Sequence, residues 1–207
     1  KEMCRRVLAL IEKDPRFKPG SGAINAYERP AGGGRGGRWP DVRFELEGLG
    51  RFAIEVQFAE SLATEVAERG KFYLDQGINL LWLLPRYRID ESWRAFVHDI
   101  AFEAGGNLFV LDRQAVAASE ARRTLVLSTF WKRDGQLEHL PVTLDELTYR
   151  PGRHPYALDV VKSDLAEAGD EDVLRKVAAD LGSLSDPVAI RAKMTELLAS
   201  AKAQLVD

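Results

Sequence analysis

Residues 39–58 read WPDVRFELEGLGRFAIEVQF, and their alternation decides the fold. Strand side chains alternate faces with a period of two, so Val42, Phe44, Leu46, Phe52, Ile54 and Val56 share one side. Asp41, Arg43, Glu45, Glu47, Arg51, Ala53, Glu55 and Gln57 share the other. Two such runs joined through glycine predict a hairpin. With Gly48, Leu49 and Gly50 as the turn, Leu46 faces Phe52, Phe44 faces Ile54, Val42 faces Val56 and Asp41 faces Gln57. Glu55 is then the diagonal neighbour of Asp41, about 7 to 8 Å away at the backbone, within bridging range of two carboxylates around a cation. A hairpin with one wet face carries the same alternation, so pattern alone leaves plain solvation open beside metal binding. The helix expected after the hairpin should cover part of the odd face, and a covered acid needs a partner.

Outward from the hairpin, EMCRRVLALIEK (2–13) has Met3, Val7, Leu8, Leu10 and Ile11 at helical spacing, closed by Pro15. Residues 17–39, including AGGGRGGRWP, turn to Gly, Pro, Ser and Arg and read as a flexible loop; Arg35 and Arg38 are read as linker rather than as a nucleic-acid segment. Beyond the hairpin, Leu62, Val66 and Tyr73 mark a helix, and GINLLWLLP a fully buried strand. A helix over RIDESWRAFVHDIAFEAG follows, then strands at NLFVLD and RTLVLSTFWKR and a weaker candidate at LPVTLDELTYR. From Pro155 the pattern is helical, with Leu174, Val177 and Leu181 in one stripe and Ile190, Met194, Leu197, Leu198 and Leu205 in another. The expectation is an α/β (α+β) core with a mixed sheet of four or more strands, a domain over 1–150, and a C-terminal helical hairpin over 151–207.

Composition narrows the classes. The 207 residues are 45% apolar and 29% charged, enough for one sizeable core, and the net charge of −3 excludes a globally basic nucleic-acid binder without excluding a local basic groove. Cys4 is the only cysteine, so no intrachain disulfide forms, and with histidines scattered widely a zinc cage is not expected. No apolar run approaches the roughly 20 residues of a membrane span, and a reducing, cytoplasmic setting without membrane contact is expected. The sequence opens on Lys1 rather than Met, so further chain upstream is expected. There is no P-loop, no dinucleotide fingerprint after a strand and no HExxH.

Pro40 and Asp41, followed by Glu55 and Gln57 in IEVQ, resemble the PD-(D/E)XK nuclease superfamily in its E-x-Q variant. With WPDVRFE, AIEVQFAES, ERGKFYLDQGINLLWLL and NLFVLD, residues 2–112 look like the competence protein CoiA-like nuclease group and its uncharacterised bacterial relatives. The resemblance implies a restriction-endonuclease-like core and a divalent cation, Mg²⁺ or Mn²⁺, on Asp41, Glu55 and the carbonyl of Val56. It implies Gln57, in place of the commoner Lys, as the residue that orients water, and Arg69 and Tyr73 near the site toward substrate. The metal would activate water for phosphodiester hydrolysis. The function implied is a metal-dependent deoxyribonuclease in DNA processing, such as competence, recombination or defence, with DNA as partner.

Each supporting residue also has a plain reading. Arg69 lies beside the apolar stripe of its helix and needs an anion, either a substrate phosphate or Glu55, unless it snorkels to the surface. Glu2 reads as solvated, Ser61 as a helix N-cap, His98 as structural, and Trp82 and Trp131 as core; His139 and His154 receive no role. Two rivals to the nuclease stand: a catalytically silent nucleic-acid-binding or scaffolding module of the same fold, and a protein-interaction domain with its partner on the C-terminal helices.

Overall fold

In the computed structural model the described residues are 1–31, 36–57, 63–85, 95–133 and 136–160. The chain divides into a unit over Lys1–Leu158 and a second over Asp159–Asp207. The first is an α/β unit whose described residues form a seven-stranded mixed sheet and four α-helices. The strands are β1 (Ala23–Ile24), β2 (Val42–Leu46), β3 (Gly50–Val56), β4 (Asn79–Leu84), β5 (Leu108–Val110), β6 (Val126–Arg133) and β7 (Gln136–Thr143), and they lie side by side in chain order. The helices are α1 (Glu2–Ile11), α2 (Ala63–Asp75), α3 (Ala95–Glu103) and α4 (Arg113–Arg122).

Connection length follows strand direction in most of the sheet. Short turns join the antiparallel β2/β3 and β6/β7 pairs, while β1/β2 and β5/β6 are antiparallel across longer connections, the second carrying α4. The longer connections carrying α2 and α3 make β3/β4 and β4/β5 parallel, as a crossover helix requires. Both sheet faces are covered, which is why β4 reads NLLWLL without polar interruption. On one face, α1 buries Cys4, Val7, Leu10 and Ile11 in a core that also takes Phe44, Ile54, Leu81 and Leu83, with Ala115 and Val116 of α4. On the other, Val66 and Tyr73 of α2 and Val97 and Ile100 of α3 pack with Ala53, Leu80, Trp82 and Leu84.

The hairpin is present, with a different register. Val42 pairs with Ile54, Phe44 with Phe52 and Leu46 with Gly50, so the turn is Glu47, Gly48 and Leu49 rather than Gly48, Leu49 and Gly50. Gly48 and Gly50 both adopt positive φ, at 80° and 88°, which lets Gly50 close the ladder as a strand residue. The pairing moves by two residues, and an even offset leaves every side chain on its expected face. Phe44 and Phe52 stack at 4.9 Å in consequence.

The expected flexible loop also differs. Among its described residues, β1 pairs with β2, Glu28 bridges to Arg38, and Phe17 and Ile24 pack on the core, so strand pairing and a few apolar contacts hold those residues in place. The weak candidate at LPVTLDELTYR is the end of β7 followed by a 3-10 turn, Leu144–Glu146. Arg35, Ser61 and the two helical stripes expected over 174–205 lie outside the described residues; residues 155–159, expected to open the helical region, are not helical, and Tyr156 instead bridges to Thr148. No helix among the described residues is long and apolar enough to cross a membrane.

Candidate functional site

Asp41 precedes β2 at the end of the hairpin, and the β2/β3 register extended by one residue sets it opposite Glu55. Its Oδ2 accepts from the backbone N–H of Val56 at 2.8 Å, and its carbonyl accepts from the N–H of Asn25 at 3.2 Å. Asp41 therefore caps the open end of β3. Val56 is buried, with its side chain in the apolar core under α1.

Glu55 lies on the opposite face of the sheet, beneath α2, and is only 5% exposed. Arg69 and Tyr73 stand four residues apart on α2, which stacks them on one helix face. Both point at the same oxygen: Glu55 Oε1 accepts from Arg69 Nη1 at 2.8 Å and from the Tyr73 hydroxyl at 2.9 Å. Arg69 also bonds Glu65 at 3.1 Å, one helical turn away. Burial pushes the Glu55 carboxyl up to about 7; the Arg69 charge and the Tyr73 hydrogen bond oppose the rise, and the neighbouring Asp41 charge adds to it. Burial likewise raises the Tyr73 phenol, reinforced by the Glu55 charge. Burial works against the Arg69 cation, but Glu55 and Glu65 outweigh it and hold Arg69 more firmly charged.

Gln57 follows β3, half-buried, and its N–H donates to the Leu83 carbonyl at 2.9 Å, extending the parallel pairing. The structure thus brings Glu55, Arg69 and Tyr73 into direct contact, with Asp41 and Val56 joined through a backbone hydrogen bond. A divalent cation on Asp41, Glu55 and the Val56 carbonyl would have to share Glu55 with Arg69, which already supplies its counter-charge. Among the described residues no three His, Cys, Asp or Glu side chains converge to hold a metal ion. The donor set present does not fit a divalent metal well. What the cluster does chemically is tie α2 to the sheet through a buried carboxyl group held by Arg69 and Tyr73.

Two polar sites escaped the sequence reading. His154 is 3% exposed; its Nε2 lies 3.0 Å from the Gly70 carbonyl and 3.7 Å from Glu103, and its Nδ1 is buried without a hydrogen-bond partner. Burial lowers its pKa to about 4. Asp14, 4% exposed, accepts from Arg16 at 2.7 Å and from the Thr124 hydroxyl at 2.5 Å, which joins the end of α1 to the α4–β6 connection. Glycine at position 70 was the available signal for the first, since a helical glycine marks close approach. A buried Asp between Lys13 and Pro15 carries no periodicity that could mark the second.

The later half of the unit presents a different surface. Asp112 caps α4, accepting from Ala115 N–H at 2.8 Å and from the Ser128 hydroxyl at 2.9 Å. Ser119 reaches back to the Ala115 carbonyl and accepts from Val126 N–H, which fixes α4 against β6. The outward side of α4 exposes Arg113, Gln114, Glu120 and Arg122. Beyond β6 lies β7, a terminal strand among the described residues, where His139, Leu140 and Pro141 are exposed and Leu140 is 53% accessible.

A family model described as ATPase inhibitor subunit zeta matches residues 101–204, just over half of the chain. The chain belongs to the ATPase inhibitor subunit zeta family. No curated protein and no solved structure matches it. Membership of this family overturns the resemblance to PD-(D/E)XK and CoiA-like nucleases and, with it, the deoxyribonuclease activity, the silent nucleic-acid-binding alternative and DNA as partner. The physical reason lies in the weakness of the motif. A Pro-Asp at a strand entry and an E-x-Q in the next strand also arise where an Asp caps a backbone N–H and a Glu locks a helix, as Asp41 and Glu55 do here.

Proposed function

We propose that this chain is a regulatory subunit that docks on an ATPase complex and lowers its rate of ATP hydrolysis. The observation that carries the reading is membership of the ATPase inhibitor subunit zeta family over residues 101–204. Its partner is then a protein assembly rather than a nucleic acid. An inhibitor needs a surface more than it needs catalytic groups, and the matched segment contains one. Strand β7 pairs only with β6 among the described residues, so its outer edge can take a partner's backbone, and Leu140 offers an apolar anchor there. Pro141 removes one donor from the same strand, which blunts indiscriminate pairing with other edges. In this reading the Asp41, Glu55, Arg69 and Tyr73 cluster is a structural lock.

The test is co-elution of the full chain with the ATPase complex purified from the same cells, at low micromolar concentrations. Leu140→Asp is expected to weaken the association about tenfold, the loss of one buried apolar anchor, while the exposed site leaves folding nearly unchanged. Absence of co-elution for the unaltered chain would remove the reading.

A further inference from the structure

We infer that the layer formed by α1 and α4 is a docking surface for an acidic segment of a partner protein. Part of this layer precedes residue 101, and it does not depend on the inhibitory reading. The two helices cover the same sheet face, α1 beside β1 and β2 and α4 against β6. They meet at one end, where the Asp14 carboxylate accepts from the Thr124 hydroxyl at 2.5 Å, so Lys13 and Arg123, the residues just before each, flank that bond. Leu8 marks the flank of α1 that faces β1, since a methyl group added at Gly22 would stand 2.8 Å from its Cδ1. At about 3.6 residues per turn, Arg6 and Lys13 fall on the other flank, toward α4.

Three observations point to an anionic partner. First, Arg5, Arg6, Lys13, Arg113, Arg122 and Arg123 are all exposed, and none makes an ion pair among the described residues. The basic residues of β2, β3 and α2 behave differently: Arg43, Arg51, Arg69 and Lys71 each have a carboxylate partner. Second, the charges do not cancel. Residues 1–16 and 112–124, which hold both helices and their ends, contain eight basic and five acidic residues, a surplus of three positive charges in a chain whose net charge is −3. The remainder of the chain therefore carries −6, and this layer is where a negative partner is drawn. Two of the five acids are also turned inward, Asp14 toward Arg16 and Thr124, and Asp112 toward the Ala115 N–H and the Ser128 hydroxyl. Third, Arg123 caps α4 at a φ of 55°, a left-handed conformation in which glycine is the usual residue. The strained position carries a cation where a residue without a side chain would fit at lower cost.

The surroundings favour a protein over a lipid surface. The large hydrophobic side chains exposed among the described residues are Tyr27, Trp39 and Leu140, none of them on α1 or α4, so this layer has nothing to insert into a bilayer. Between its charges stand Ala9, Gln114 and Ala117. Guanidinium groups on rigid helices pair well with carboxylates, and an acidic protein segment supplies several of these at once.

The experiment titrates the full chain with a fluorescent peptide of glutamate and alanine, followed by anisotropy at low ionic strength and again as chloride is raised. Saturable binding that weakens with salt is expected, because exposed charges are screened beyond about 10 Å at 0.1 M. Replacing Arg5, Arg6, Arg122 and Arg123 together by Gln should weaken binding about tenfold or more, four exposed pairs of modest strength each. Replacing Lys18, Arg29, Lys71 and Arg150 by Gln removes the same charge from other surfaces and should weaken it less than about twofold. Arg123→Gly should weaken binding without lowering the melting temperature, an outcome that a residue kept for the fold would not give. Vesicles of phosphatidylserine and phosphatidylcholine, and duplex DNA, form parallel arms at equal charge concentration. The inference is overturned by absence of saturable peptide binding, by an equal loss in the two fourfold variants, by unchanged binding in Arg123→Gly, or by tighter binding of the vesicles or the DNA.

Discussion

Arg69→Met removes the cation from Glu55 while keeping an aliphatic side chain on α2, and its cost should depend on pH. The Glu55 side chain is 6% exposed and that of Arg69 27%, so the pair is largely screened from solvent. Removing one partner of a buried pair typically costs 3 to 5 kcal/mol; with Arg69 partly open, about 2 to 3 kcal/mol is expected near pH 8, where Glu55 is ionised. Near pH 5 the Glu55 carboxyl, held at about 7, is protonated, and only a hydrogen bond is lost, about 1 kcal/mol. Urea denaturation at the two pH values reads both numbers from the midpoints at constant slope. Adding Glu55→Gln to Arg69→Met should recover most of the loss near pH 8, because the amide leaves no unpaired charge and can still accept from Tyr73. An equal loss at both pH values, or no recovery in the double variant, would refute the account of Glu55 as a buried carboxylate balanced against Arg69.

Glu55 and His154 should give opposing contributions to the pH profile. Glu55 is raised from 4.5 to about 7, so its contribution is full below 4.5 and lost as pH rises through 7; His154 is lowered from 6.5 to about 4, so its contribution is full above 6.5 and lost as pH falls through 4. Each is worth about 3 kcal/mol, so Glu55→Gln should leave stability rising with pH between about 4 and 7, and His154→Gln should leave it falling, as chemical denaturation across that range would record. Gly70→Ala should destabilise by about 1 to 2 kcal/mol in thermal melts, reversing the usual helical preference for Ala, because the added methyl group runs into the Glu103 carboxylate and approaches His154 to 3.3 Å. Asp14→Ala should cost about 1 to 3 kcal/mol by the same measurement, since it strands the Thr124 hydroxyl and leaves Arg16 with Asp145 as its remaining carboxylate partner.

Much of the fold could be read from local periodicity. The alternation of residues 42–56 assigned each side chain to its face, and the uninterrupted apolar run at residues 79–84 marked a strand covered on both sides. Period two is insensitive to an offset of two residues, which is why the faces survived while the pairing of Phe44 changed from Ile54 to Phe52. Strand β1 was hidden because two residues, Ala23 and Ile24, carry no pattern, and their order comes from pairing with β2 across a distance in sequence.

The Glu55 cluster was legible in part, since an arginine beside the apolar stripe of α2 announces a buried acid. Which acid, and to what end, was not. A carboxylate that binds metal and one that anchors a helix look alike in sequence, because both need burial on the same sheet face and a nearby polar partner. The His154 and Asp14 contacts join segments 84 and 110 residues apart, beyond the reach of any local pattern.

The most direct measurement is the steady-state rate of ATP hydrolysis by the purified ATPase complex of the same cells, titrated with the full chain. A saturable fall in rate, reaching its limit near one chain per complex, is the result the family assignment predicts. A rate that stays constant to a large molar excess of folded protein would contradict it.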